Sequence, residues 1–203
     1  IFGSNFGPLG TAVTAKYTTN KAISSVVSPV GAASNASVEF PATGCVVIEA
    51  HRKINCTTSE GAGFSIVWVL TIGNQTSQSP TTSYKAPTIT ALRMSSVLVN
   101  DVLVAASSPV GSLTSLATEG GEVIVVNGTD LGPSANRTLV NAVSFGGGSF
   151  VYSLQNCSFL IAHQQLQCLT PAGVGSGFRA QVSVMYQSSG QSSDVMSYRA
   201  PSI

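Results

Sequence analysis

The chain contains one cysteine-framed segment twice. Ten residues separate the cysteines of Cys45–Cys56, and ten separate those of Cys157–Cys168. Each copy ends in a Tyr-x-Ala-Pro motif, which begins at Tyr84 in the first copy and at Tyr198 in the second. The cysteines recur at a spacing of 112 residues and the motif at 114, so one loop has gained two residues. An internal repeat of this length predicts two copies of one domain within the 203 residues.

The four cysteines predict two local disulfides, Cys45–Cys56 and Cys157–Cys168. Disulfides form and persist in oxidising compartments, so we expect a secreted or cell-surface protein. Zinc is the alternative, but structural zinc sites usually draw ligands from close Cys-x₂₋₄-Cys pairs, which this sequence lacks.

Asn-x-Ser/Thr sequons are denser than composition alone predicts, since ten Asn in this Ser/Thr-rich chain would give roughly two or three by chance. We expect N-linked glycans at them, with composition bias as the alternative. The six sequons begin at Asn35, Asn55, Asn74, Asn127, Asn136 and Asn156.

Low charge limits the partners of the chain. Charged residues make up 8% of it and the net charge is +1, so it lacks the basic surface that nucleic acids or anionic membranes require. No apolar run approaches the ~20 residues that span a bilayer. We therefore expect no nucleic-acid partner and no direct membrane insertion.

Two segments alternate apolar and polar residues, which is typical of a strand with one buried face. Aligned on Phe64 and Phe178, the two copies predict matching strands. The predicted inward side chains are Phe64, Ile66, Trp68, Leu70 and Ile72 in the first copy, and Phe178, Ala180, Val182, Val184 and Tyr186 in the second. The triplet Gly146-Gly-Gly148 predicts a hairpin turn. Each Tyr-x-Ala-Pro motif predicts a final strand that runs into the next domain without a flexible spacer.

An apolar hairpin is predicted around Asn100-Asp101. It packs on its own domain or forms a contact surface for another subunit. Its apolar residues are Val97, Leu98, Val99, Val102, Leu103 and Val104.

No motif predicts catalysis, a metal or a cofactor. His51 and His163 occupy equivalent positions in the two cysteine segments, which favours a shared structural role. The carboxylates form no motif, and Gly146–Gly148 lacks the Lys and the helix of a phosphate-binding loop. We expect a non-enzymatic protein.

Together these features resemble the IPT/TIG family of immunoglobulin-like domains, which occurs in plexins, related receptors, some transcription factors and many surface proteins. The resemblance rests on the order of a Gly/Asn-rich turn, paired cysteines, an alternating strand and Tyr-x-Ala-Pro-x-Ile. It implies an all-β fold with two tandem sandwiches, each with one disulfide. The domains would span residues 1–86 and 87–200, with an insertion at about 93–117. The basic loops of the DNA-binding members are missing.

The repeats are out of phase with the ends of the sequence. The family's domain begins with a strand such as Pro87–Leu92, which has no counterpart before residue 1, and Pro201–Ile203 looks like that strand beginning again. We expect either a longer tandem array or a terminal strand that completes the first domain of another copy. Ile1, Phe2, Pro201 and Ile203 are the predicted assembly residues at these ends.

The leading hypothesis is a structural glycoprotein whose chain is the repeating unit of an extracellular fibre or stalk, through self-association or a tandem array. The alternative is a receptor or adhesin ectodomain that binds a protein ligand. An accessory domain of a carbohydrate-active enzyme is disfavoured, because the single Trp68 is predicted to face inward.

Overall fold

The structure, a computed structural model, describes residues 1–18, 39–95, 98–99, 102–103, 112–134, 140–148 and 150–203. Its described part contains strands and turns but no helix, which confirms the predicted all-β fold. None of the described residues therefore forms a helix that could cross a membrane. The chain divides into unit 1, Ile1–Tyr84, and unit 2, Lys85–Ile203.

The described strands of unit 1 form one antiparallel sheet in the order β3-β2-β1-β4-β5. Its strands are β1 (Thr14–Thr18), β2 (Glu39–Glu49), β3 (Lys53–Thr58), β4 (Ile66–Ile72) and β5 (Gln75–Thr82). The long strand β2 pairs first with β1, through Glu39–Ala42, and then with β3. Its register against β3 shifts between Thr43 and Val46, next to the left-handed Gly44 (φ 60°). This bulge redirects the strand between its two partners.

The described part of unit 2 contains two larger sheets and a separate two-stranded sheet formed by β7 and β8. One sheet has the order β12-β13-β9-β6, and the other has the order β11-β10-β14-β15 with β16 also paired to β14. The strands are β6 (Thr88–Ser95), β7 (Leu98–Val99), β8 (Val102–Leu103), β9 (Val123–Thr129), β10 (Val140–Gly147), β11 (Phe150–Ser153), β12 (Gln155–Ile161), β13 (Gln165–Leu169), β14 (Phe178–Val184), β15 (Gln187–Ser188) and β16 (Val195–Met196). The predicted apolar hairpin is formed by β7 and β8, in which Leu98 pairs with Leu103.

The two units match at a constant spacing of 112 residues from the cysteines through β4 and β14. Strand β4 begins at Ile66 and β14 begins at Phe178, so these two residues are equivalent. The alignment of Phe64 with Phe178 was wrong, because the two extra residues lie after the strand rather than before it. Phe64 precedes β4 and is half-buried, and Tyr186 lies outside β14 in an exposed turn.

Alternation correctly predicts most of the buried face of these strands. Ile66, Trp68 and Leu70 are buried, although Ile72 is only half-buried. In β14, the side chains of Phe178, Ala180, Val182 and Val184 are all buried.

An aromatic cluster fills each core. In unit 1 the Tyr17 ring lies 4.5 Å from the Trp68 ring and 5.5 Å from the Phe40 ring, between centroids. Unit 2 has Ala180 where unit 1 has Trp68, and Phe178 where unit 1 has Ile66. The large side chain has therefore moved two residues along the strand while the core stays filled.

Both predicted disulfides are present. Cys45 is bonded to Cys56 and Cys157 to Cys168, with Cα–Cα distances of 4.2 and 4.1 Å. Each bridge joins the two strands of one hairpin, β2–β3 or β12–β13.

Candidate functional site

The repeated histidine is a backbone feature of the cysteine hairpin. His51 and His163 lie in the left-handed region, with φ of 61° and 60°, at the turn that joins the two strands. The His51 N–H donates to the Gly7 carbonyl at 2.7 Å, and the His163 N–H donates to the Gly132 carbonyl at 2.8 Å. These bonds attach the hairpin to the Gly-rich turn, which accounts for the repeat of this position without any ligand.

A tyrosine fastens the end of each unit to the loop that follows the second cysteine. The Tyr84 hydroxyl donates to the Ser59 carbonyl at 2.6 Å, and the Tyr198 hydroxyl donates to the Pro171 carbonyl at 2.8 Å. Ser59 and Pro171 are equivalent at the 112-residue spacing. Desolvation raises the pKa of Tyr198 to about 12 and raises the pKa of Tyr84 further, with the neighbouring Tyr17 contributing. We call this arrangement the tyrosine lock.

The lock explains the Tyr-x-Ala-Pro motif and corrects one prediction. Residues 83–87 form no strand, and Tyr198 makes only an isolated bridge to Leu116, so the motif does not extend a final strand. The rings instead cover two glycines: a Cβ on Gly61 would lie 2.8 Å from the Tyr84 ring, and one on Gly173 would lie 2.6 Å from the Tyr198 ring.

The first residues of unit 1 occupy the place that β9 holds in unit 2. The Ile1 N–H donates to the Ile54 carbonyl at 2.8 Å, and the Ile54 N–H donates to the Ile1 carbonyl at 2.9 Å. In unit 2, Val126 of β9 pairs with Leu166 of β13 in the same way. The far side of β9 is covered by β6, whereas no described residue of unit 1 covers the far side of Ile1–Gly3.

Phe2 stands at this open edge. Its side chain is 78% exposed, and the Lys53 ammonium lies 5.2 Å from the centroid of its ring. Ile1 and Gly3 direct their backbone bonds at β3, so the backbone of Phe2 faces outward, as that of Asn127 faces Ala91 in unit 2.

The remaining predicted assembly residues are not part of this edge within unit 1. Pro201 and Ile203 belong to unit 2 and are exposed. Val97 and Val104 lie outside the described residues.

The sequons differ in the environment of their side chains. Asn55, Asn74 and Asn156 are exposed, and Asn55 and Asn156 both lie next to a bridged cysteine. Asn127 is half-buried, and its Nδ2, the atom that would carry a glycan, is buried and makes no hydrogen bond. Asn35 and Asn136 lie outside the described residues.

The outer edge of β11 was not predicted from the sequence. Phe150 is 51% exposed there and Val151 is 76% exposed, and Val174 close by is 57% exposed. A comparison of the two copies at the 112-residue spacing could have found this edge, because Val151 stands where unit 1 has Glu39 and Ser153 stands where it has Pro41.

Metal chemistry has no support in the described part of the chain. Nowhere in it do three or more His, Cys, Asp or Glu side chains form a group that could hold an ion.

A family model of the IPT/TIG domain matches residues 107–199, within unit 2. No curated protein matches the chain. The match confirms, for residues 107–199, the resemblance inferred from the motifs. IPT/TIG domains are immunoglobulin-like, non-catalytic modules, and an extracellular adhesion or receptor type of role fits both this class and the two disulfides. Unit 1 repeats the disulfide hairpin, the left-handed histidine and the tyrosine lock.

Proposed function

We propose that the chain is a non-enzymatic structural glycoprotein module, a repeating unit of an extracellular fibre or stalk that is assembled end to end. Its six sequons and low charge suit a glycan-covered extracellular surface. The observation that carries the proposal is the repeat of one framework in both units, which have the disulfide hairpin, the left-handed histidine and the tyrosine lock at equivalent positions.

The outer side of Ile1–Gly3 is the place where a β6-like strand would lie if unit 1 follows the pattern of unit 2. This side of the segment exposes backbone N–H and C=O groups, which favour the addition of an extended segment. The matching strand in unit 2 begins within Ala86-Pro-Thr-Ile89, and Ala200-Pro-Ser-Ile203 repeats this sequence pattern. We infer that a β6-like strand of an adjoining repeat, either in the same polypeptide or in another copy, covers the outer side of Ile1–Gly3, which places repeats head to tail. Head-to-tail contacts that do not close into a ring produce filaments.

Two substitutions of Phe2 test this contact. Phe2→Pro removes the outward N–H and leaves the inward bonds of Ile1 and Gly3, so it blocks strand addition. Phe2→Asn is the matched control, because Asn127 occupies the same place beside β6 in unit 2. Sedimentation velocity is expected to show large assemblies for the wild type and the Asn variant, and small species for the Pro variant. Equal assembly by the Pro variant would refute strand addition at this edge.

The second candidate function is a receptor or adhesin ectodomain. The observation in its favour is the β7–β8 hairpin, which interrupts unit 2 between β6 and β9 and consists of Leu98–Val99 and Val102–Leu103. This function predicts saturable binding of a protein ligand that is lost when the hairpin is deleted, with no filament.

A further inference from the structure

The outer edge of β11 differs from its counterpart in unit 1 in a way that indicates a second contact. In both units this strand lies at the edge of the aromatic core, and Tyr152 pairs with Phe145 as Phe40 pairs with Tyr17. We call the outer side of Phe150–Ser153 the β11 edge. No described residue pairs with it.

The backbone phase of β11 shows which groups face outward. The Leu154 N–H donates to the Val143 carbonyl at 2.8 Å, which places Leu154 in a hydrogen-bonded pair with β10. Alternate residues of an antiparallel strand bond on opposite sides, so Tyr152 also faces β10. The N–H and C=O groups of Val151 and Ser153 therefore face outward.

Unit 1 protects the same two positions. Glu39 is the counterpart of Val151, and its carboxylate pairs with the Lys16 ammonium at 2.9 Å. Pro41 is the counterpart of Ser153 and has no N–H to offer. Charge and proline are the devices by which natural sheets prevent edge-to-edge pairing. Unit 2 has lost both and exposes Val151 instead.

We propose that the β11 edge pairs with the β11 edge of a second copy of the chain, as an antiparallel strand pair that joins the two β10–β11 sheets. The strand suits a copy of itself, because Phe-Val-Tyr-Ser contains no charge that would repel the same segment and consists largely of residues that favour strands. Phe150 and Val174 add exposed apolar surface beside it.

When the β11 edge pairs with the same edge of a second copy, the contact is two-fold and closes on itself rather than extending. It is lateral and independent of the end-to-end contact proposed above.

The pair is expected to be weak when isolated. Four residues and a few apolar side chains cover much less than the roughly 1,200–2,000 Å² of a stable interface. We expect dissociation constants of about 10 μM to 1 mM. In a fibre, many such pairs would act together.

The test exchanges the residues at these two edge positions between unit 1 and unit 2. Val151→Glu with Ser153→Pro copies the protected edge of unit 1 onto unit 2, and Glu39→Val with Pro41→Ser opens the edge of unit 1. All variants carry Phe2→Pro, so that end-to-end assembly does not obscure the lateral contact. Each exchange introduces residues that already occur at the equivalent positions of the other unit.

Sedimentation velocity from about 10 μM to 1 mM then measures the pairing. The parent, which carries only Phe2→Pro, is expected to dimerise. The variant with Val151→Glu and Ser153→Pro is expected to dimerise at least tenfold more weakly. The variant with Glu39→Val and Pro41→Ser is expected to associate more strongly than the parent. Amide hydrogen exchange at Val151 and Ser153 should slow as the dimer forms. The proposal is overturned if the parent stays monomeric at about 1 mM, or if the variant with Val151→Glu and Ser153→Pro dimerises as well as the parent.

Discussion

The tyrosine lock makes a sharp prediction for Gly173. A Cβ at this position would lie 2.6 Å from Cζ and 2.7 Å from the hydroxyl oxygen of Tyr198, whose side chain is only 4% exposed. Gly173→Ala therefore forces the ring out of its place, and overpacking of a core costs about 1–3 kcal/mol. The hydrogen bond from Tyr198 to Pro171 is strained or lost as well, at about 1 kcal/mol. The expected total is about 2–4 kcal/mol.

This free energy corresponds to a large change in melting temperature. Unit 2 runs from Lys85 to Ile203, which is 119 residues. At about 2.1 cal/mol/K per residue, its unfolding entropy is about 0.25 kcal/mol/K, so Gly173→Ala should lower its Tm by about 8–16 °C. Differential scanning calorimetry measures this transition, and the fluorescence of Trp68, which lies in unit 1, follows the other unit separately.

Gly190→Ala is the matched control within unit 2. A Cβ there meets no atom within 4 Å, so this substitution is expected to change the Tm by less than about 2 °C. The reasoning is refuted if the Gly173 and Gly190 variants melt at the same temperature.

Three further predictions follow from other parts of unit 2. Replacing Cys157 and Cys168 by Ala is expected to cost about 3 kcal/mol in urea unfolding, because the bridge closes a loop with a sequence separation of 11; an unchanged midpoint would contradict this. Glycopeptide mass spectrometry is expected to find glycan at Asn156 but none at Asn127, whose Nδ2 is buried; equal occupancy would show that Asn127 packs differently. The pKa of Tyr198 is raised from 10.0 to about 12, so its protonated form stabilises the fold fully below pH 10, and this contribution is lost as the pH rises through about 12. Tyr198→Phe should flatten the fall of unfolding free energy between these pH values, and an unaltered slope would argue against a buried hydroxyl.

The signals that predicted the fold are local in the sequence. The spacing of Cys45 and Cys56 places them on two strands of one hairpin, and period-two alternation identified the buried Ile66, Trp68 and Leu70. Both patterns depend on neighbours within a dozen residues, so a single sequence contains them. Because the sequence repeats, the disulfide and the buried strand face predicted for the first copy were also predicted for the second.

The hairpin after β14 could not be predicted, because its turn lacks the usual residues. Met185 and Tyr186 both have positive φ, at 43° and 65°, where unit 1 has Gly73 and Asn74. Gly and Asn accept this conformation readily, but Met and Tyr adopt it only under tertiary constraint. The apolar alternation therefore appeared to continue through Tyr186, and the extra two residues were assigned to the wrong side of the strand.

The candidate site is a property of pairing rather than of any motif. Glu39, Pro41, Val151 and Ser153 carry no functional signature on their own. Only the structure shows that these residues lie on the outer side of equivalent edge strands. The same holds for Phe2, whose outward backbone depends on the bonds of its two neighbours to β3.

Negative-stain electron microscopy of the purified glycoprotein tests the proposed end-to-end assembly most directly. End-to-end assembly predicts regular fibres with an axial repeat close to the length of two domains, and their loss in the Phe2→Pro variant. Separate particles of uniform size in native material would contradict it, and would direct attention to the β7–β8 hairpin as the binding surface of a receptor or adhesin.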